Sequence, residues 1–290
     1  MILYYCVGDG YGHVARALAV VHTLDLDPSN VTLLTNNRAA EDPRVNGGCN
    51  VQLIPETEIS RKALWPLIKD IVQGPDVETL FVDVFPGGVA GELCGIGVRV
   101  PMHYVGRWLN WARYRGNLAP GPIHYTTAYL TEPLHPDQMA YIRGHAEFVR
   151  SLELVDPPVD PDPDDVAALE VFREERPVWL VVKSQPETAK RMAHEALSRA
   201  WTEEPKPKVV LICPERPEGL NPAVGHMAAY PAYPLYHLAD KLFLPATQAT
   251  YRQTRDYEGD IEILAWNSMG DDPALREAWH IAGFTGETFG

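Results

Sequence analysis

Short apolar runs alternate with amphipathic stretches through most of this chain, and that alternation narrows the available folds more than any other feature. MILYYCV (1–7), VTLLTN (31–36), NVQLIPE (50–56), TLFVDVF (79–85) and VPMHYVG (100–106) are rich in β-branched and aromatic residues. Between them, VARALAVVHTL (14–24), ISRKALWPLIKDIV (59–72) and GVAGELCGI (88–96) have helical character. Strands joined through helices run parallel, with the helices packed on the sheet faces, so the expected fold class is α/β.

The texture changes near residue 155. VDPPVDPDPDDV is dense in proline and aspartate, sustains neither a helix nor a central strand, and reads as a linker. The alternation then restarts with PVWLVV (177–182), a helix from about Glu187 to Trp201, KVVLICP (208–214), VGHMAAY (224–230) and KLFLPAT (241–247). Two Rossmann-like domains are expected, 1–157 and 158–290, with parallel sheets facing across a cleft that suits a small ligand.

The first strand runs into VGDGYGHVARALAVV, where Gly8, Gly10 and Gly12 supply a turn without side-chain bulk and His13 opens the helix. A turn of this kind lets another molecule approach the main chain and directs free N–H groups outward at a helix start. Binding sites in such sheets lie beyond the carboxyl ends of the strands, where this turn falls. His13 suits a general base toward a hydroxyl, or a hydrogen-bond donor to phosphate, and equally a histidine that packs the turn. The glycines alone also fit a tight corner. Asn36 and Asn37 stand where a dinucleotide-binding fold carries an acid, which weakens that reading.

Bulk properties exclude several classes. A formal charge of −14 over 290 residues argues against nucleic acid as a general partner. Cys6, Cys49, Cys94 and Cys213 lack metal-ligand spacing and read as buried, reduced thiols in a cytoplasmic protein. No basic segment precedes the opening apolar run as in a secretory signal, and no run approaches the roughly 18 apolar residues of a membrane span. RWLNWARYRGN (107–117) interleaves arginines with tryptophan and tyrosine. From Arg107 to Arg115 it reads either as a partly buried helix with solvated arginines or as a patch for sugars or a peripheral membrane contact.

GDGYGH followed by ARALAVVHTL resembles the opening of GT-B glycosyltransferases, in particular the group of the peptidoglycan lipid-intermediate N-acetylglucosaminyltransferase. VDVFPGGVAGEL (82–93) and PMHYVGR (101–107) resemble later strand regions of their first domain, and YPLYHLADKLFLPATQATYRQTRD (233–256) their late donor segment. The resemblance implies a metal-independent transferase without a resident cofactor, moving a sugar from a nucleotide-diphospho-sugar, most simply a UDP-sugar, to an acceptor the sequence does not name. It implies that the first domain takes the acceptor and the second the donor. His13 and Asp83 are then the catalytic candidates, Asp83 either orienting His13, binding a sugar hydroxyl, or capping its own turn. Gly8, Gly10 and Gly12 approach the acceptor or phosphate. Ser184, Gln185, Thr250, Tyr251, Arg252 and Gln253 are the diphosphate and ribose candidates, and Asp271 and Asp272 the candidates for donor-sugar hydroxyls; ordinary loop and cap chemistry explains each of these as well. The chain departs from the family in the second domain, with Ala249 in place of a turn glycine, Gln253 near the position of a ribose-binding glutamate, and Lys183-Ser184-Gln185-Pro186 in place of a glycine-rich turn. A non-catalytic relative and a nucleotide-sugar epimerase are the alternatives.

Overall fold

A computed structural model describes residues 1–8, 10–55, 60–245 and 247–264. It divides into two compact units, Met1–Pro157 and Pro158–Gly290.

In the first unit the chain runs β1 (Ile2–Tyr5), α1 (Gly12–Thr23), β2 (Val31–Thr35), α2 (Pro43–Asn46), β3 (Asn50–Leu53), α3 (Arg61–Val72), β4 (Thr79–Asp83), β5 (Met102–Gly106), α4 (Trp111–Tyr114), β6 (Tyr125–Leu130), α5 (Pro136–His145) and β7 (Ala146–Ser151). The seven strands form one sheet in the order β3-β2-β1-β4-β5-β6-β7, and every neighbouring pair is parallel. Because both faces are covered, β1 is apolar on both sides. Leu3, Tyr5 and Val7 pack with Leu64, Ile68 and Val72 of α3, while Tyr4 and Cys6 pack with Val14, Ala17 and Val21 of α1. Leu64, Ile68 and Val72 recur every four residues and so share one helix face.

The order reverses at β1: the chain leaves it toward β2 on one side and returns to β4 on the other. The carboxyl ends of β1 and β4 therefore flank a crevice, the usual binding position of an open parallel sheet. The glycine turn comes after β1 and Asp83 ends β4, so topology alone brings the two candidate segments together.

The second unit runs α6 (Pro163–Glu175), β8 (Val178–Val182), α7 (Pro186–Ala200), β9 (Lys208–Ile212), β10 (Gly225–Met227), β11 (Lys241–Leu244), α8 (Gln248–Gln253) and β12 (Asp260–Ile263). Its parallel sheet has the order β10-β9-β8-β11-β12. The reversal here lies between β8 and β11, so the turns after those two strands are neighbours.

Two expectations are corrected, and a third, left open between two readings, is narrowed. GVAGELCGI is not a helix: Gly88, Gly91 and Gly95 have φ of 84°, 78° and 77°, the left-handed region that an α-helix excludes. The turn is instead organised by the buried carboxylate of Glu92, which accepts from the Tyr5 hydroxyl and from Ala90 N–H. The proline-rich linker is shorter than its composition suggests, because Pro163 occupies the first turn of α6, where no intrahelical N–H is needed, and Asp162 caps that helix through Asp164 N–H. Finally, Trp108, Trp111 and Tyr114 are buried, with Trp111 packed against Tyr141. Their rings are unavailable to a membrane surface, and only Arg113 and Arg115 of the stretch's three arginines are exposed. Among the described residues no helix is long and apolar enough to cross a membrane.

Candidate functional site

The site is built at the carboxyl ends of β1 and β4. The turn after β1 is tied down when Gly8 N–H donates to Asn36 Oδ1 at 3.0 Å, and Gly10 takes a φ of 79°. Gly8 is glycine for a steric reason. A Cβ there would stand 2.2 Å from His13 Nε2, so the imidazole lies directly against the bare backbone. Gly12, by contrast, faces open space. Asn37 caps the segment after β2 by accepting from Ala39 N–H, so both asparagines serve local backbone groups.

His13 sits in the first turn of α1 with its ring stacked on Phe85, the centroids 5.6 Å apart. Its Nδ1 lies 2.7 Å from Oδ2 of Asp83, which is fully buried. Arg16, one turn further along α1, donates from Nε to Oδ1 at 2.7 Å and from Nη2 to Oδ2 at 2.8 Å. This two-point pairing is the strong geometry for a guanidinium and a carboxylate. Val84, next to Asp83, has a φ of 60°, a strained value for a β-branched residue, and it turns the chain so that Asp83 and Phe85 both meet the imidazole.

Burial alone pushes the Asp83 carboxyl up, but the Arg16 charge and the bonds from His13 and Arg16 outweigh it and hold the group below the usual carboxylate range. Asp83 is therefore ionised and only accepts. His13 moves the other way: desolvation lowers its pKa, and the Arg16 and Arg107 charges add to that, against the pull of Asp83. A neutral imidazole facing an ionised carboxylate must place its proton on Nδ1, which leaves the Nε2 lone pair free.

Further out on the same face, Arg107 stands just after β5 and pairs with Glu132 after β6, Nε to Oε1 at 3.5 Å. Glu132 also accepts from Trp108 N–H, and Gln138 holds the Arg107 carbonyl. The buried hydroxyl of Tyr4 lacks a hydrogen-bond partner among the described residues.

In the second unit, Ser184 and Gln185 lie on the turn between β8 and α7. Gln185 is exposed and caps α7 without a side-chain bond. Lys183 beside them is half-buried, and desolvation lowers its pKa. Thr250 has its hydroxyl engaged locally. Its hydroxyl donates to Pro245 O at 2.6 Å and lies 2.9 Å from Thr247 Oγ1, which caps α8, so it is committed inside its own turn. Arg252 and Gln253 are partly exposed on the same short helix. The Tyr251 side chain, Asp271 and Asp272 lie outside the described residues, as does Asp9. Sequence reading missed Arg16, Phe85 and Glu132, and it took Arg107 only as part of the basic–aromatic stretch. The spacing His13-x-x-Arg16 was the available signal, since residues three apart share a helix face.

No family model matches the chain, and no curated protein matches it in sequence. Solved structures do match in shape. The spinosyn forosaminyltransferase SpnP superposes with a TM-score of 0.57 at 13% identity, covering 97% of this chain and 83% of that one. The chain has a GT-B fold. Anabaena Alr3699/HepE, solved in complex with UDP-glucose, shares the GT-B fold with a TM-score of 0.54 and 12% identity over 97% of this chain and 90% of its own. The UDP-N-acetylglucosamine 2-epimerase from Rickettsia bellii does so with 0.53 and 10% over 90% and 78%. GT-B architecture thus serves both sugar transfer and sugar epimerisation, and the side chains must decide between them.

Proposed function

We propose that this protein is a glycosyltransferase that moves a sugar from a nucleotide-diphospho-sugar, of the UDP type, to an acceptor hydroxyl bound by the first unit. The observation that carries the reading is the 2.7 Å contact from His13 Nδ1 to buried Asp83. It leaves Nε2, which lies against the bare Gly8 backbone, unprotonated, so that it can take the proton of a hydroxyl that reaches this turn as the oxygen attacks the sugar carbon. Asp83 orients the ring and stabilises the imidazolium that forms.

The second unit takes the donor in this reading. Lys183, Ser184 and Gln185 meet the diphosphate where β8 gives way to α7, and Arg252 and Gln253 supply further polar contacts from the neighbouring turn. Thr250 is left out, because its hydroxyl is consumed locally. The narrower likeness to the peptidoglycan N-acetylglucosaminyltransferase group rests on the GDGYGH opening and the helix after it. A cytoplasmic setting agrees with four buried, unpaired cysteines.

One specific feature favours a second reading, a non-catalytic nucleotide-sugar-binding protein. The donor turn carries Ala249 and Gln253 where the resembling enzymes carry glycine and glutamate. Thermal-shift titration with UDP, dTDP, GDP and their glucose conjugates separates the cases. A ligand at 100 times its Kd adds about 2.7 kcal/mol to stability. The transferase reading expects one nucleotide series to raise the melting temperature and its sugar conjugate to release nucleoside diphosphate. A shift without release is the binding-protein outcome, and no shift with any nucleotide contradicts both.

A further inference from the structure

We propose that Arg16 is a positioning residue of this site: by gripping both oxygens of Asp83 it fixes the carboxylate as the acceptor of His13 Nδ1–H, and so selects Nε2 as the basic nitrogen. The inference rests on the reading of His13 as base, and its geometry is independent of any substrate.

A buried carboxylate beside a histidine can be satisfied in two ways. The proton can sit on the carboxyl, with Nδ1 accepting it, or on Nδ1, with the carboxylate accepting. The first arrangement places the imidazole proton on Nε2 and abolishes the base. Arg16 excludes it. Its Nε and Nη2 reach Oδ1 and Oδ2 at 2.7 and 2.8 Å, so a protonated Asp83 would leave a buried guanidinium without its counter-ion. The Nη2 group also comes within 3.4 Å of His13 Nδ1, where its positive charge opposes a charged imidazole. Because Arg16 and His13 are one turn apart on α1, a single rigid element sets both distances.

The groups around His13 come from several elements. Asp83 faces it from β4 and Arg16 from α1, and Arg107 stands beyond the end of β5. Tyr4 and Arg16 act on Asp83's surroundings from β1 and α1, and Cys6, just after β1, lies beside the same carboxylate. Glu132 after β6 offsets both arginines. Removing the Arg16 charge leaves Arg107 alone against Asp83 and Glu132 near the ring and so favours its protonated form.

The competing role for Arg16 is a buried ion pair that only fastens α1 to β4. Nitrogen-15 NMR of the His13 imidazole in the full chain, read across pH, distinguishes the two. The wild type should show the Nδ1–H tautomer at neutral pH and titrate below the ordinary histidine value. Arg16→Gln should raise the midpoint by about one unit or more. Arg16→Lys keeps the charge without the planar fork, so it should hold both the midpoint and the Nδ1–H tautomer near those of the wild type. In turnover, R16Q should lose kcat by ~100-fold at little change in donor KM, with partial rescue in R16K. An unchanged tautomer and midpoint in folded R16Q overturns the proposal. If R16Q does not fold, the wild type and R16K decide: the Nδ1–H tautomer in both supports the clamp, and the Nε2–H tautomer in either refutes it. If the wild type turns over no nucleotide sugar, the NMR result still stands or falls alone and only the transferase reading is lost.

Discussion

His13 Nδ1 and Asp83 Oδ2 lie 2.7 Å apart although 70 residues separate them in sequence. The contact exists because β1 and β4 are adjacent parallel strands, with Tyr5 in register with Val82 and Asp83 one residue beyond. The glycine turn that leaves β1 must then meet the residue that ends β4.

The acid limb of activity should lie below the ordinary histidine range. Burial lowers the His13 pKa, so its neutral, base-competent form persists to lower pH than that of a free imidazole near 6.5. A plot of log kcat/KM against pH should rise to its plateau with an apparent pKa under about 6.5. A limb above about 7 would mean that Asp83 dominates the ring and that the burial argument is wrong.

Gly8→Ala and Gly12→Ala should separate cleanly. A methyl at Gly8 enters the imidazole at 2.2 Å, whereas one at Gly12 meets nothing within 4 Å. G8A should displace His13 and lose activity by ~100-fold, since small misplacements of reacting groups cost about that much. G12A should keep activity close to wild type. Equal activities in the two variants would show that the ring does not rest on Gly8.

Asp83→Asn should be severe in stability as well as chemistry. It leaves Arg16 buried against a neutral amide, and breaking a buried pair by removing one partner costs roughly 3–5 kcal/mol. The sign of the pH dependence is fixed by the lowered carboxyl: the wild type holds this contribution above the unfolded aspartate pKa near 3.9 and loses it as pH falls through the lower folded value. Denaturant melts of wild type and D83N should therefore converge toward acid pH. A gap that stays constant down to about pH 3 would remove Asp83 as the source.

Thr250→Val should cost stability without changing nucleotide affinity. Its hydroxyl donates to Pro245 O and its backbone N–H is capped by Thr247. Burying an oxygen without its donor costs about 1–3 kcal/mol. Isothermal titration with the nucleotide that raises the melting temperature should return the wild-type Kd; a tenfold weaker Kd would restore Thr250 to the donor site.

The sequence carried the sheet and the placement of His13 and Asp83 well, because strand periodicity and the glycine turn are local signals. It carried the polar partners badly. Arg16 carries no signal of its own until β4 supplies its counter-ion, and Asn36, standing where a dinucleotide-binding fold carries an acid, instead accepts from Gly8 N–H. GVAGELCGI imitates a helix in composition, yet its glycines are there to take left-handed values around Glu92. β7, with the sequence AEFVRS, is an edge strand exposed along most of its length, so it lacks the apolar pattern that marks a buried strand. Lone distant pairs such as Arg107 with Glu132 leave no spacing signature at all.

The role of His13 as base is decided by the rate of nucleoside diphosphate release from the nucleotide sugar that the protein binds, compared between wild type and a folded His13→Ala variant. Release should fall by about 10²–10⁴-fold in H13A with the donor Kd unchanged, the range for removing a general base. Release at the wild-type rate in H13A would take the imidazole out of the chemistry altogether.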